Sequence, residues 1–238
     1  MARPGGVVIA SRRFWAFAQT DGTILEGEIP QLPGPLTRVP ILRGLTRLAA
    51  SFAPLAMGGG VARRGERGLL GLALVVPAAA VLLPVRAQLA VGLTLVVVLL
   101  AWLFRGKTLS LHGAEHRAIG ACEDRTMVET WEARTRPSRF SRRCGTNFAA
   151  LALTTGLLLY AVFPAARDAA WSFPISLVVL GLTMELWFLI QAAPPRAAGI
   201  LLAPGLALQR LTTREPSPEQ TQLALSAVAS VLRRELDP

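Results

Sequence analysis

Histidine and cysteine are scarce in this chain, which contains two of each in 238 residues. Both cysteines fall in a segment that we assign to the cytoplasm, so Cys122 and Cys144 are predicted to be reduced thiols, and a disulfide between them is not expected. The first 20 residues lack a long apolar core followed by a small-residue cleavage site. A removable signal peptide is therefore not expected.

Charge is absent from four long stretches of a chain that is 52% hydrophobic with a mean hydropathy of +0.46. With its flanks, each stretch approaches the roughly 20 residues that a helix needs to cross a ~30 Å hydrocarbon core. The sequence therefore predicts a mainly α, polytopic membrane helix bundle of about four spans, with a small cytoplasmic α+β portion. The four stretches are Leu69–Leu83, Leu89–Phe104, Asn147–Ala166 and Ala169–Met184.

Acidic residues are also few, 15 against 25 basic residues, which gives a formal net charge of +10. Nine basic residues lie in 1–67, nine in 105–147 and five in 194–238, and only Arg86 and Arg167 lie elsewhere. With four spans, 23 of the 25 fall on one side, and this positive-inside pattern places both termini and the central loop in the cytoplasm. The expected partners are therefore the lipid bilayer and the anionic lipids of its inner leaflet, and not nucleic acid.

All four histidines and cysteines lie between residues 112 and 144. His112, Glu115 and His116 form the pattern H-x-x-E-H, which on a helix aims two imidazoles and one carboxylate at a single point. Two imidazoles at i and i+4 can hold a divalent ion such as Zn²⁺, and the carboxylate between them can act as a general base on water. The sequence predicts a metal site here, with His112 and His116 as ligands and Glu115 as the catalytic residue.

A catalytic zinc site needs a third protein ligand, for which Glu123, Cys144 and Glu185 are the candidates. Glu123 continues the same helical face about two turns beyond His116. Cys144 lies at the cytoplasmic start of the third span, close in the chain topology to His112. Glu185 lies in the inner half of the fourth span, where it either reaches this site or pairs with an arginine near the interface.

Other local patterns divide the chain into segments. The turn signal at Asp21-Gly22 and the alternation from Thr23 to Ile29 predict a β-hairpin over residues 5–30, with Val7 to Gln19 extended and β-prone in part before the turn. Ser110 is expected to cap the histidine helix, and Ser217-Pro218-Glu219-Gln220 predicts a capped helix that runs to about Glu235 and docks on the sheet. The expected segments are 1–40 (hairpin and linker), 41–67 (interfacial helix and basic anchor), 68–104 (first two spans), 105–146 (cytoplasmic loop with the histidine, cysteine and glutamate cluster), 147–193 (last two spans) and 194–238 (interfacial segment and cytoplasmic helix).

Four motifs make the chain resemble the DUF1385 family of bacterial membrane proteins, described as YqhQ-like predicted metal-dependent enzymes. The resemblance implies a multi-pass protein of the bacterial inner membrane in which the histidine motif and the Cys-Gly-Thr motif lie near one another. The family usually carries a histidine just before that second motif, where this chain has Ser141 and Arg142. The motifs are Leu111–Ile119, Arg143–Phe148, Pro40–Gly44 and Leu208–Pro216.

Two functions compete for this pattern. In the first, the chain is a membrane-embedded zinc hydrolase with its site at the cytoplasmic membrane face. In the alternative, the metal site is structural, with Cys144 as a ligand and Cys122 as a candidate fourth ligand, and the protein is a scaffold or a factor in membrane-protein biogenesis or quality control. A third hypothesis is a transporter that uses Glu185 and the histidines to bind protons or ions.

Overall fold

The computed structural model of the chain describes residues 1–238 except 32–33, 35–37, 58, 60, 81, 104, 164–168 and 238. Within the described part the protein is mainly helical and has one antiparallel sheet, as the sequence predicts. The strands, in spatial as in chain order, are β1 (Ala2–Arg3), β2 (Gly6–Ala10), β3 (Phe14–Gln19) and β4 (Ile24–Glu28). The helices are α1 (Pro40–Ser51), α2 (Ala53–Met57), α3 (Arg64–Ala80), α4 (Val85–Leu103), α5 (Thr108–Glu123), α6 (Met127–Trp131), α7 (Gly145–Val162), α8 (Ala169–Ala192), α9 (Pro195–Leu201), α10 (Ala203–Thr212) and α11 (Pro218–Leu236).

The N-terminal sheet contains the predicted turn at Asp21-Gly22. Gly22 has φ +90°, which favours glycine, and the Asp21 carboxylate accepts a hydrogen bond from the Thr23 N–H at 2.9 Å. The extended stretch expected before this turn is divided into β2 and β3 by a second, tight turn. There the Ser11 side chain accepts hydrogen bonds from the N–H groups of Arg13 and Phe14, which reverses the chain.

Helices cover both faces of the sheet, which explains why β2 and β3 are almost entirely buried. Because successive strand residues point to opposite faces, alternate side chains enter two separate cores. One core joins the sheet to α5 and α11, and the other joins it to α2 and the chain before α3. From β2 the first core receives Val7 and Ile9, and the second receives Val8.

The C-terminal helix α11 begins with the capping box that the sequence predicts. The Ser217 hydroxyl accepts from the Gln220 N–H, and the Gln220 side chain accepts from the Ser217 N–H. Leu225 and Val228 are buried between α5 and the sheet, whereas Leu232 is partly exposed. Helix α11 therefore packs against both α5 and the sheet and stabilises the contact between them.

Helix α5 begins earlier than expected, so the prediction that Ser110 caps it is wrong. The N-cap residue is Lys107, and Ser110 lies in the first turn. Its hydroxyl donates to the Lys107 carbonyl at 3.0 Å and accepts from Gln220 at 2.9 Å. A serine that bonds back to the preceding turn is compatible with a helix interior, which is why the local signal was misleading.

Two helices in the described part of the chain, at Gly145–Val162 and Phe173–Ala192, are long and apolar enough to cross a membrane. They correspond to the third and fourth predicted spans. The first two predicted spans form α3 and α4, of which α4 contains a shorter apolar helix at Arg86–Trp102. The expected connection between the last two spans, and part of the linker after the hairpin, lie outside the described residues.

Helix α1 crosses α8 at two glycines. A Cβ atom at Gly44 would overlap the Gly181 carbonyl oxygen, so the two backbones approach closely only because neither position has a side chain. Beside this crossing, Arg43 donates to Glu185 through Nε at 2.9 Å and through a second guanidinium nitrogen. The interfacial helix expected within 41–67 is divided after Ser51 into α1 and α2, and α1 lies against the last candidate span.

Candidate metal centre

Helix α5 carries the two histidines on a face beside the one that packs on the sheet. Leu111, Ala114 and Ala118 are fully buried in the core with the sheet and α11. His112 and His116 lie one position further round the helix, one turn apart, as the i, i+4 spacing predicts. Their ring centroids are 4.4 Å apart.

Gly113 allows the chain that follows α10 to run against α5. A Cβ atom at this position would overlap the carbonyl oxygen of Arg214. The Arg214 N–H also donates to the Leu109 carbonyl at 2.9 Å, which pairs the two segments. This close approach brings the carbonyl of Thr212 to the His112 ring.

Each imidazole is oriented by a backbone carbonyl. His112 Nδ1 lies 2.8 Å from the Thr212 oxygen, and His116 Nδ1 lies 2.7 Å from the Arg139 oxygen. Because a carbonyl oxygen only accepts, both Nδ1 atoms carry a proton, and the lone pair of a neutral ring is then on Nε2. This arrangement of a ring nitrogen bonded to a carbonyl is typical of histidines that bind metals.

Cys144 places a sulfur atom beside the two imidazoles. It is the N-cap of α7, and its Sγ accepts from the Thr146 N–H at 3.4 Å and from the Thr146 hydroxyl at 3.1 Å. Its Sγ lies 3.3 Å from His112 Nε2. One donor atom from each of His112, His116 and Cys144 lies within 4.8 Å of the others. The chain therefore brings together two nitrogen ligands and one sulfur ligand of the types that zinc prefers.

Two buried amides hold the loop that leads to Cys144. Gln209 accepts from the Ser141 N–H at 2.9 Å and donates to the Ser141 carbonyl at 2.8 Å. Asn147 donates to the carbonyls of Ser141 and Arg142 at 2.9 and 3.0 Å, and Gln209 donates to the Asn147 side chain at 3.1 Å. Both residues occur in motifs that we noted in the sequence, but local spacing gave no indication that they meet.

The electrostatics of the cluster favour a thiolate. Burial raises the pKa of Cys144, but the hydrogen bond with His112 and the positive charge of the two imidazoles outweigh burial and lower it to about 6. Burial acts against the charged form of His112, yet the hydrogen bond to Cys144 and the nearby Glu115 raise the pKa of that imidazole. Cysteine and histidine therefore stabilise each other's charged forms.

Glu115 lies close to both histidines of the cluster. Burial opposes its ionisation, but the amino group of Met1 and the two histidines lower its pKa. Oε1 accepts a hydrogen bond from the Met1 amino group at 2.8 Å. Glu115 is thus held as a carboxylate beside both imidazoles.

A cavity of about 300 Å³ opens onto His112, Glu115 and Cys144. The rest of its wall is mainly apolar and includes Phe52 and Trp102. Pockets of this kind, with a few polar groups converging at one end, are typical of ligand sites.

Two buried polar atoms in the centre have no hydrogen-bond partner among the described residues: His116 Nε2 and Glu115 Oε2. Leaving such atoms unpaired costs about 1–3 kcal/mol each. A bound cation would satisfy His116 Nε2, since His116 is in the ligand cluster and its Nδ1 is already bonded to the Arg139 carbonyl. The residues present therefore fit a divalent metal ion.

The other predicted ligands lie elsewhere. Glu123 is partly exposed and pairs with Arg143 at 2.6 Å, and Glu185 pairs with Arg43. Cys122 packs against the core between α5, α11 and the sheet, where burial raises the pKa of its thiol. None of these three residues belongs to the cluster found among the described residues.

Comparison with known proteins gives a family but no activity. Residues 74–234 match the model of the family described as "Protein of unknown function (DUF1385)". The chain is 33% identical over 135 residues to "Uncharacterized protein YqhQ" of Bacillus subtilis (strain 168). The match covers 54% of this chain and 42% of that relative, so the chain spans less than half the length of the relative. No solved structure matches the chain.

Proposed function

The chain belongs to the DUF1385 family of proteins of unknown function, and we propose that it is a membrane-embedded zinc hydrolase with its site at the cytoplasmic face of the membrane. The observation that carries the proposal is the cluster of His112, His116 and Cys144, in which a buried His116 Nε2 has no partner among the described residues. Three protein ligands leave a coordination position open, which is the arrangement of catalytic zinc sites.

His112, His116 and Cys144 would hold the ion. When bound, such an ion acts as a Lewis acid that lowers the pKa of water towards neutrality. The Thr212 and Arg139 carbonyls each bind an Nδ1 atom, which leaves Nε2 as the nitrogen that can coordinate, and the Thr146 side chain and N–H orient the sulfur.

Glu115 is the proposed general base. Its Oε1 is held by an amino group, whereas Oε2 is buried without a partner in the described part of the chain and so has a free acceptor site. It takes a proton from water as the nucleophile attacks and returns that proton to the leaving group. The apolar wall of the 300 Å³ cavity excludes bulk water and accommodates an apolar part of the substrate. Peptides, amides and lipid-linked groups are the candidate substrates.

The membrane assignment rests on two candidate spans and on the distribution of charge. Leu153, Leu157 and Leu189 on these helices are each more than 60% exposed, as expected for side chains that face lipid. We propose that α3 and α4 supply two further spans in the bacterial inner membrane. Both termini and the loop at 105–146 would then lie in the cytoplasm, in contact with anionic inner-leaflet lipids.

A structural metal site in a scaffold or biogenesis factor is the second candidate function. It is favoured by the fact that the ligands come from two segments, α5 and the start of α7, which a metal ion would join. The two functions differ in what occupies the fourth coordination position of the metal. A structural site requires a fourth protein ligand, and Cys122 lies outside the cluster.

Metal analysis of the purified full-length chain tests the proposal. Wild type and Glu115→Gln should each carry one equivalent of zinc, and His116→Ala should carry none. Glu123→Gln is the matched control, because it removes a carboxylate from the same helix outside the cluster. If Glu115→Gln loses the metal, Glu115 is a ligand and the proposed base is wrong.

A further inference from the structure

A second and larger cavity, of about 1020 Å³, lies between the sheet and the α3–α4 pair. Its floor is formed by the turn after β1 and by β3. Arg63, just before α3, and Arg105, just after α4, also line the cavity. Nothing in the proposed hydrolase mechanism uses this cavity.

The cavity wall carries an excess of positive charge. Its charged residues are Arg3, Arg63, Arg105 and Glu66, so three guanidinium groups face one carboxylate. Glu66 is already engaged, because it pairs with Arg3 and accepts from the Arg63 N–H at 2.8 Å. The excess of two positive charges therefore belongs to the side chains of Arg63 and Arg105.

Arg3 lies buried beside this positive charge. It is 4% exposed, donates to the Val61 carbonyl and to Glu66, and has a buried Nε without a partner among the described residues. Burial, and then the charge of Arg63, lower the pKa of Arg3 to about 10. Arg63 and Arg105 are exposed, and neither guanidinium has an ion pair in the described part of the chain. An anion placed here would meet cations that lack a counter-charge.

The remaining wall is apolar and lies at one end of the helix bundle. Leu69 of α3 and Val98 and Trp102 of α4 line the cavity above the arginines. Leu69 and Trp102 also line the cavity of the metal centre, which reaches Gly145 at the start of the candidate span α7. The cavity therefore lies at the level where a span begins, which is where lipid headgroups are found.

We propose that this cavity binds one anionic phospholipid, with its phosphate between Arg63 and Arg105 and an acyl chain along the apolar wall of α3 and α4. A guanidinium pairs with a phosphate through paired, charge-assisted hydrogen bonds. A small free anion would leave most of the 1020 Å³ unfilled and the apolar wall exposed. The proposal does not depend on the hydrolase activity, because none of its binding groups is a metal ligand.

Native mass spectrometry of the detergent-solubilised full-length chain tests this site. The probes are phosphatidylglycerol, phosphatidylcholine, glycerol phosphate and inorganic phosphate. The test variant is the double substitution Arg63→Gln/Arg105→Gln. Its matched control is Arg136→Gln/Arg210→Gln, which removes the same charge from two exposed arginines that do not line the cavity.

We expect one phosphatidylglycerol to bind wild type and the control equally. The test variant should bind it at least about tenfold more weakly, since both arginines attract the anionic headgroup. Phosphatidylcholine and glycerol phosphate should bind far less well, because one lacks net charge and the other lacks acyl chains. Zinc content should be unchanged in both variants, which separates this test from that of the hydrolase.

Three results would overturn the proposal. Equal losses in the test and control variants would mean that net charge alone attracts the lipid. Equal binding of phosphatidylcholine would mean that the arginines do not select a headgroup. Competition by inorganic phosphate at the same concentration as phosphatidylglycerol would mean that the cavity takes a free anion.

Discussion

His112 Nε2 lies 3.3 Å from Cys144 Sγ, although 32 positions separate the two residues in the chain. The contact joins the core helix α5 to the first residue before a candidate membrane span. The contact depends on the loop before Cys144, which is held by the buried amides of Gln209 and Asn147. It also depends on Gly113, which allows the Arg214 backbone to lie against α5.

Thiol reactivity reports the state of Cys144. In Cys122→Ser protein stripped of metal, alkylation of Cys144 by a small reagent should rise with pH through a midpoint of about 6. The pKa is lowered, so the reactive thiolate dominates above that pH and is protonated below it. Adding His112→Ala removes the main hydrogen bond to the sulfur and should move the midpoint upwards. A midpoint near the ordinary cysteine value of about 8.5 in the parent protein would contradict the coupling.

Gln209 should be required for metal affinity although it is not a ligand. Gln209→Leu removes two hydrogen bonds to Ser141, so the loop before Cys144 loses its support. Loss of such a supporting residue typically weakens metal binding about 10- to 100-fold. Gln191→Leu is the control, since Gln191 makes one exposed hydrogen bond, to the Arg142 carbonyl of the same loop. Zinc competition titrations should show the loss in the first variant, and equal effects would refute the role.

Gly113→Ala should reduce both stability and metal binding. The new methyl group meets the Arg214 carbonyl, and relieving such an overlap typically costs about 1–3 kcal/mol. Moving the segment that contains Arg214 also takes the Thr212 carbonyl away from His112. Gly199→Ala adds the same methyl group where no atom lies within 4 Å, so it should be neutral or slightly stabilising. Thermal unfolding and zinc titration of the two variants give the comparison.

Glu185 provides a test of the ligand set. Because its carboxylate is paired with Arg43, Glu185→Gln should retain one equivalent of zinc and loosen the contact between α1 and α8. Proteolysis within α1 should be faster than in wild type, and Arg43→Gln should have the same effect. Zinc loss in Glu185→Gln alone would instead identify Glu185 as a ligand.

Local patterns predicted those parts of the fold that depend on neighbouring residues. The turn at Asp21-Gly22 and the capping box at Ser217 need only a few adjacent residues, and both are present. The sequence pattern wrongly predicts a cap at Ser110, because a serine inside a helix can bond to the turn before it. The turn between β2 and β3 is not predicted. It depends on hydrogen bonds to the Ser11 side chain, and a hydropathy pattern does not indicate such bonds.

By itself, the sequence determined which chemical groups are available: two imidazoles one helical turn apart, a carboxylate beside them and a thiol at the start of an apolar helix. Their spacing on one helix follows from α-helical geometry and needs no tertiary contact. Only the tertiary structure decided that Cys144, and not Cys122, Glu123 or Glu185, joins the histidines. That choice depends on loop positions set by Gln209, Asn147 and Gly113, whose partners are distant in the chain, and on the pairing of the two carboxylates with arginines.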